Sequence, residues 1–305
     1  MANLRTLVRR RKAIRNIRKI TKTMELIATA RFKKALDRAT EADAFTRKIA
    51  ELAADLSKNA GDVSHPLLTV RPQVKKALVL VTTSNRGLCG GYNGGIIREA
   101  MARVRQLRAD GTPFDLEVSG KRGISYFKFQ AIPRAAEYTQ FEDKPTFAQV
   151  GELASRYIDL YVSGQIDQLV IVYQKFLTVA RQAPVAETLL PLSSVSVSDS
   201  VSGRRRPSAT DTDTATDTAR VEYEFYPSAA DILGELVPVA FKVRLFKCFL
   251  DAAVSEQIAR RVAMKAATEN AGDLIKSVTR LYNRTRQANI TKEISELIAG
   301  SEALK

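Results

Sequence analysis

The chain has 305 residues with 48 Lys+Arg against 33 Asp+Glu, a formal net charge of +15, enough length for a sizeable core and more than one structural unit. Its one histidine, His65, and two distant cysteines, Cys89 and Cys248, argue against a Cys/His metal site and a disulfide framework. The basic excess suggests an acidic partner, and no apolar run approaches the roughly 20 residues needed to span a bilayer.

Residues 1–24 hold nine basic residues and no acid, from Arg5 to Lys22. This imitates a mitochondrial transit peptide, but the apolar periodicity continues past Glu25, which predicts a structural helix instead. That helix is expected over residues 3–58. One heptad position reads Leu7, Ile14, Thr21, Ala28, Ala35, Ala42, Ile49, Leu56, and another supplies Ile17, Met24, Phe45 and Leu52. At 1.5 Å per residue it would be on the order of 80 Å long, too long to bury within a compact domain. It needs an equally long partner.

From Pro72 the pattern changes. Ala77–Val81 is a short apolar run expected to be a buried strand, followed by a glycine-rich stretch at 85–95 and a helical pattern to about Arg108. Phe114–Ser119 reads as a strand, Gly123–Phe129 as a helix or turn, Phe147–Val162 as an amphipathic helix and Gln168–Phe176 as a strongly apolar strand. Thr188–Leu192 and Val221–Tyr226 read as weaker strands. Strands alternating with helices predict an α/β domain with a mainly parallel sheet. Ser193–Arg220 is rich in Ser, Thr and Asp with few large apolar groups, the composition of a mobile surface loop. Pro227 and Ser228 introduce the last helical region, in which Pro238 is expected to kink or break the helix near Val237.

Ser255–Ile298 contains no proline and a single glycine, Gly272. Its apolar residues Met264, Ala267, Ala271, Leu274, Val278, Leu281 and Ala288 form a second heptad seam. The two long helices are therefore expected to pair antiparallel; Ala28, Ala35 and Ala42 in one seam and Ala253, Ala267 and Ala271 in the other read either as a thin waist of close backbones or simply as good helix formers. The domain plan is 1–62 for the N-terminal helix, 72–226 for a central Rossmann-like α/β domain (193–220 its mobile polar loop) and 227–305 for the C-terminal helix.

Catalytic motifs are missing. The glycines at 87, 90, 91, 94 and 95 give neither GxxxxGK[ST] nor GxGxxG, so the loop reads as a tight turn that lets another backbone or subunit come close. His65 has no nucleophile partner, and Cys89 reads as a packed or merely exposed thiol. The sequence predicts no cofactor, no metal and no enzymatic activity of the chain by itself.

Three blocks resemble the γ subunit family of F-type ATP synthases: Ile17–Ala35 (IRKITKTMELIATARFKKA, similar to ITKAMEMVAASKMRKA), Thr83–Asn93 (TSNRGLCGGYN, against a TSDRGLCGGFN-like loop), and the C-terminal SEQIAR, VAMKAATENAGDLI and LYNRTRQANITKEISELI. The resemblance covers essentially the whole chain. It implies a rotor shaft whose coil sits in a ring of three α and three β subunits. The α/β domain and lower coil would join the ε subunit and the c-ring, so that ion flow drives ATP synthesis or hydrolysis at sites on β. By position it implies ring contacts at Met24, Lys33, Lys34, Arg86, Cys89, Gly90, Arg260, Gln287, Thr291 and Glu296, with Leu297 and Ile298 seated in a bearing. It also implies a peripheral place on the cytoplasmic face of a bacterial plasma membrane, since the match begins within the first few residues.

The chain departs from the family at Asn85 (usually Asp) and at Thr23 and Phe32 (usually Ala and Met). The 193–220 loop carries no cysteine, which excludes the thiol control of photosynthetic relatives through it. Two other readings are a basic coiled coil that binds nucleic acid through Arg9–Lys22 and a nucleotide-binding enzyme built on the α/β domain. The first lacks aromatic interleaving and the second lacks the glycine fingerprint.

Overall fold

A computed structural model describes residues 4–59, 65–141, 144–192 and 229–302. The elements are α1 (Leu4–Asn59), β1 (Ala77–Thr82), α2 (Tyr92–Ala109), β2 (Phe114–Ser119), α3 (Lys121–Phe129), β3 (Ala136–Tyr138), α4 (Phe147–Val162), β4 (Gln168–Phe176), β5 (Gln182–Leu190) and α5 (Ala229–Glu302). The expected loop at 193–220 and strand at 221–226 lie outside the described residues. Two compact units are present. One holds α1 up to Ala30, Leu88–Gly90 and α5 from Gln257; the other holds Arg31–Gly87 and Gly91–Glu256.

The second unit is built on a five-stranded sheet of order β3-β2-β1-β4-β5. β1 pairs parallel with both β2 and β4, β2 pairs parallel with β3, and β5 runs antiparallel to β4. The mainly parallel α/β reading holds. β1 occupies the centre and is buried along its whole length, which is why Ala77–Val81 reads as an unbroken apolar run. β5 begins at Gln182, six residues earlier than the sequence suggests. Its Pro184 removes a backbone donor, and an edge strand tolerates that loss.

Alternate residues of β1 serve the two faces of the sheet. Leu78 and Leu80 join Leu169, Ile171 and Tyr173 of β4, Leu153, Tyr157 and Tyr161 of α4, and Val237, Phe241, Leu245, Cys248 and Phe249 of α5 in one apolar core. The stretch of α5 from Val237 to Ala252 is therefore core helix. Pro238 lies inside α5, which runs through it without the break that was one of the two expectations. The carbonyl that loses its helical donor to Pro238 belongs to Gly234, an exposed residue.

Two buried carboxylates inside this unit are matched by donors. Glu117, 3% exposed, accepts hydrogen bonds from the Tyr138 hydroxyl (2.9 Å), the Tyr157 hydroxyl (2.7 Å) and Arg156. Burial, with the Glu117 charge adding to it, pushes both phenols above their ordinary range. Asp167 accepts from Arg71 and from the backbone N–H groups of Lys75 (2.7 Å) and Lys76 (3.0 Å). These donors hold its carboxyl below the usual range although desolvation opposes them.

The join of β1 to α3 is the tightest backbone approach. Gly120 has φ +98°, and a Cβ there would lie 2.1 Å from the Thr83 carbonyl oxygen. At Gly123 a Cβ would meet Thr83 Oγ1 at 2.7 Å. Thr83 Oγ1 instead accepts from the Gly123 N–H (2.9 Å) and donates to Ser119 O (2.8 Å). Gly120→Ala should therefore cost about 3 kcal/mol or more, from left-handed strain plus overpacking. Chemical denaturation checks this; a loss below about 1 kcal/mol would mean the β1–α3 join can relax.

Asp251 of α5 is 6% exposed. Lys247 of α5, Lys175 of β4, Asp43 of α1 and Glu187 of β5 all act on it, and Lys247 pairs with Asp43. Burial pushes its carboxyl up to about 7. The folded form thus holds a proton that the unfolded chain releases near pH 4. The stabilisation is complete below that point and is lost as pH rises through 7, about 4 kcal/mol in total. His65, whose pKa partial burial lowers, acts in the opposite sense. Wild type and Asp251→Asn should therefore be compared by urea titration at about pH 5 and about pH 8. The variant should gain stability relative to wild type across that interval, and parallel curves would exclude a titrating carboxylate at 251.

Candidate subunit-contact surface of the coil

The first unit is an antiparallel helix pair. On α1 the seam follows Leu7, Ile14, Thr21 and Ala28, with Arg11, Arg18 and Glu25 at the alternating positions; Leu7, Ile14 and Ala28 are buried. On α5 it follows Met264, Thr268, Ala271, Ile275, Val278 and Tyr282 at steps of four and three. Ile14 clusters with Ala271, Val278 and Ile275, the Thr268 hydroxyl meets Thr21 Oγ1 at 2.9 Å, and the Arg11 guanidinium lies 5.0 Å above the Tyr282 ring. Residue numbers rise on one helix as they fall on the other, which is the antiparallel pairing the periodicity predicts.

One part of the expected seam shifts by a residue. Ala267, Leu274 and Leu281 give way to Thr268, Ile275 and Tyr282, and Leu274 and Leu281 stay about half exposed. On α1, Ile17 likewise faces out. The cause is that both helices carry apolar groups at three positions per heptad, and pairing buries only two of them. Polar Thr268 and amphipathic Tyr282 win because each finds a partner across the seam: a hydroxyl and a guanidinium.

The glycine-rich loop after β1 is pinned by its ends. The Ser84 N–H donates to Asn93 Oδ1 (3.0 Å) and the Ser84 hydroxyl to Arg86 O (2.6 Å). Asn85 accepts from the Lys121 N–H (3.0 Å) and donates to the carbonyls of Thr139 (3.0 Å) and Phe141 (3.3 Å). A carboxylate could accept the first bond but not supply the other two, so Asn85 is a structural tie between three segments. Leu88 (φ 66°) and Gly90 (φ 56°) are both left-handed, and a Cβ on Gly90 would touch Ala263 Cβ at 3.6 Å. The neighbour that this glycine admits is the chain's own α5. Leu88, with a bulky side chain in this conformation and 59% exposed, is a strained outward residue the sequence alone did not mark.

The expected contact residues occupy varied settings. Lys33, Lys34, Arg86, Gly90, Gln287, Thr291, Glu296, Leu297 and Ile298 are exposed, while Met24 and Arg260 are half-buried. Cys89 is 2% exposed within its own chain, so its thiol is packed and any outside contact there falls to its neighbours. The Thr291 hydroxyl returns to Gln287 O (3.0 Å), and Glu296 pairs with Lys292 one turn away (3.4 Å). Following the register, Leu4 lies opposite roughly Asn289. Beyond it α5 exposes Ile290, Ile294, Leu297 and Ile298 along one side. Among the described residues no cluster of His, Cys, Asp or Glu is arranged to hold a metal ion, and no helix is long and apolar enough to cross a membrane.

Comparison with known proteins agrees with this architecture. The ATP synthase family model matches residues 3–304. The ATP synthase gamma chain of Rhodopirellula baltica is 52% identical over 305 residues, covering 100% of both chains. That of Leptospira biflexa is 36% identical over 304 residues, again covering 100% of both. Among solved structures, a chain of the Euglena gracilis mitochondrial ATP synthase (OSCP/F1/c-ring, rotational state 3) superposes with a TM-score of 0.61 at 18% identity, covering 99% of this chain and 94% of that one. The Euglena rotor in rotational state 1 gives 0.57 at 16% identity, with 94% and 98% covered. A paired-helix coil in one unit and an α/β sheet in the other, in a chain matched from end to end in sequence, place the chain in the ATP synthase gamma chain family.

Proposed function

We propose that the chain is the non-catalytic central shaft of a rotary ATP synthase, and that its turning couples ion flow through a c-ring to ATP synthesis or hydrolysis on β subunits. The observation that carries this reading is the antiparallel coil with its projecting α5 tip, in a chain that matches the gamma chains along its whole length. A stiff rod with one protruding, apolar-sided end suits a body that turns in a sleeve. The partners would be the α and β subunits of the ring, with ε and the c-ring at the foot, and the complex would lie peripherally on the cytoplasmic face of a bacterial plasma membrane.

In this reading Met24, Lys33, Lys34, Arg86, Gly90, Arg260, Gln287, Thr291 and Glu296 meet the ring, and Leu297 and Ile298 seat in its bearing. What supports the polar contacts is exposure: Lys33, Lys34, Gln287, Thr291 and Glu296 stand exposed on the helices and Arg86 on the glycine-rich loop. Exposed ionic and polar pairs contribute roughly 0–1 kcal/mol each, so none is a trap the rotor cannot leave. Nucleic-acid binding through Arg9–Lys22 gains nothing from the structure, since Lys22 pairs with Glu25 (3.1 Å) and Arg11 with Tyr282.

The reading is tested by co-expressing the chain with α and β subunits. It should co-purify with them, and its omission should abolish coupled turnover. Single alanine substitutions at Gln287, Thr291 or Glu296 should each lower turnover by no more than about fivefold. Retention on DNA at physiological salt without α/β association would overturn the shaft.

A further inference from the structure

The residue ahead of each seam position and the residue behind it fall on opposite sides of the coil. Because the helices are antiparallel, the preceding residues of both share one flank and the following residues of both share the other. The two flanks differ in chemistry. On the preceding side, between residues 13–27 of α1 and 263–281 of α5, no residue is charged: Ile17, Ile20, Met24 and Ile27 line up beside Leu274 and Leu281. Ile17, Ile20 and Ile27 are 52%, 55% and 47% exposed, and Leu274 and Leu281 are 49% and 45%. On the following side, Lys12, Arg15, Lys19 and Lys22 face Lys265 and Lys276 across the seam, with Glu269 as the acid among them.

Such a distribution is more than the scatter of single exposed apolar residues normal on protein surfaces. Each helix carries the three-per-heptad stripe of a helix that packs on two sides, and both stripes widen toward the same flank. We infer that the coil is two-faced, and that its uncharged flank, centred on Ile17, Ile20, Ile27, Leu274 and Leu281, is a docking face for an apolar stretch of the surrounding ring wall. The basic flank meets that wall through screened charge contacts. This deepens the shaft reading and rests on it. The flank is separate from the projecting tip at Leu297 and Ile298, and it gives the shaft a chemical orientation as well as a shape. Commitment to a protein wall follows from the charge pattern: a flank with no charge over about 20 Å of helix offers nothing to an anionic lipid or nucleic acid.

Salt separates the two flanks, since ion contacts at the surface weaken as the screening length falls from about 10 Å to about 3 Å, and apolar contacts do not. In the complex with α and β subunits, an apolar-flank variant (Ile17→Ser, Leu274→Ser, Leu281→Ser) should lose retention on the ring about tenfold at both low and high salt. A basic-flank variant (Arg15→Gln, Lys19→Gln, Lys265→Gln) should lose it at low salt only. As a check independent of affinity, an environment-sensitive dye on Leu274→Cys, with Cys89 and Cys248 replaced, should shift to the blue on assembly, while the same dye on Lys265→Cys should not. Wild-type retention by the apolar-flank variant, a loss that follows salt, or an unshifted dye would overturn the inference and leave the shaft intact. Concentration-dependent dimers of the isolated chain that Leu274→Ser abolishes would overturn it in favour of a second copy. Failure of the wild-type chain to assemble with α and β would remove both.

Discussion

The narrow seam between α1 and α5 is the contact on which the shaft depends. Two helices of 56 and 74 residues cannot hide their apolar stripes in a domain of this size, and isolated helices gain little from propensity alone. Each needs the other. The seam they build is sparse in large side chains: Ile14, Val278 and Met264 are separated by Ala28, Ala271 and a pair of threonines. Small residues bring the axes close, and the Thr21–Thr268 and Arg11–Tyr282 contacts add direction that apolar packing lacks.

α5 has two roles along one uninterrupted helix. Up to Glu256 it belongs with the sheet unit, where Val237, Phe241, Leu245 and Phe249 complete the core above β1 and β4. From Gln257 it belongs with the coil. Buried charge gathers beside the first of these stretches. Glu187 is held in its ionised form by Arg244 (2.7 Å), against desolvation, with help from Lys175 and the Tyr173 hydroxyl. Asp251, in reach of two lysines but also of two other acids, is held closer to neutrality. Burial costs each carboxylate the same kind of solvation; a bonded guanidinium is what separates their outcomes.

Much of the fold was legible from the residues. The central strand was visible because parallel strands buried on both faces read as continuous apolar runs, and α4 because its pattern is amphipathic; the reciprocal Thr146–Gln149 cap that opens it emerged in the structure. β5 was truncated in prediction because Pro184 argues against a strand unless the strand lies at an edge, and edges are a property of the whole sheet. The requirement for glycine at 120 was invisible because the atom that excludes a side chain, the Thr83 carbonyl, is 37 positions away.

By itself, the sequence determined that two long helices flank an α/β unit and must pair, since periodicity and length are local properties that no other packing satisfies. It also set which residue types stand at each heptad position. Tertiary structure decided which two of three apolar positions per heptad became seam. It turned Leu274 and Leu281 outward in favour of Ile275 and Tyr282, and buried Cys89 within its own chain. The reason is geometric. A helix fixes the angular spacing of its side chains, but the direction that faces inward is set only when a second helix arrives, and small rotations then exchange a leucine for its neighbour.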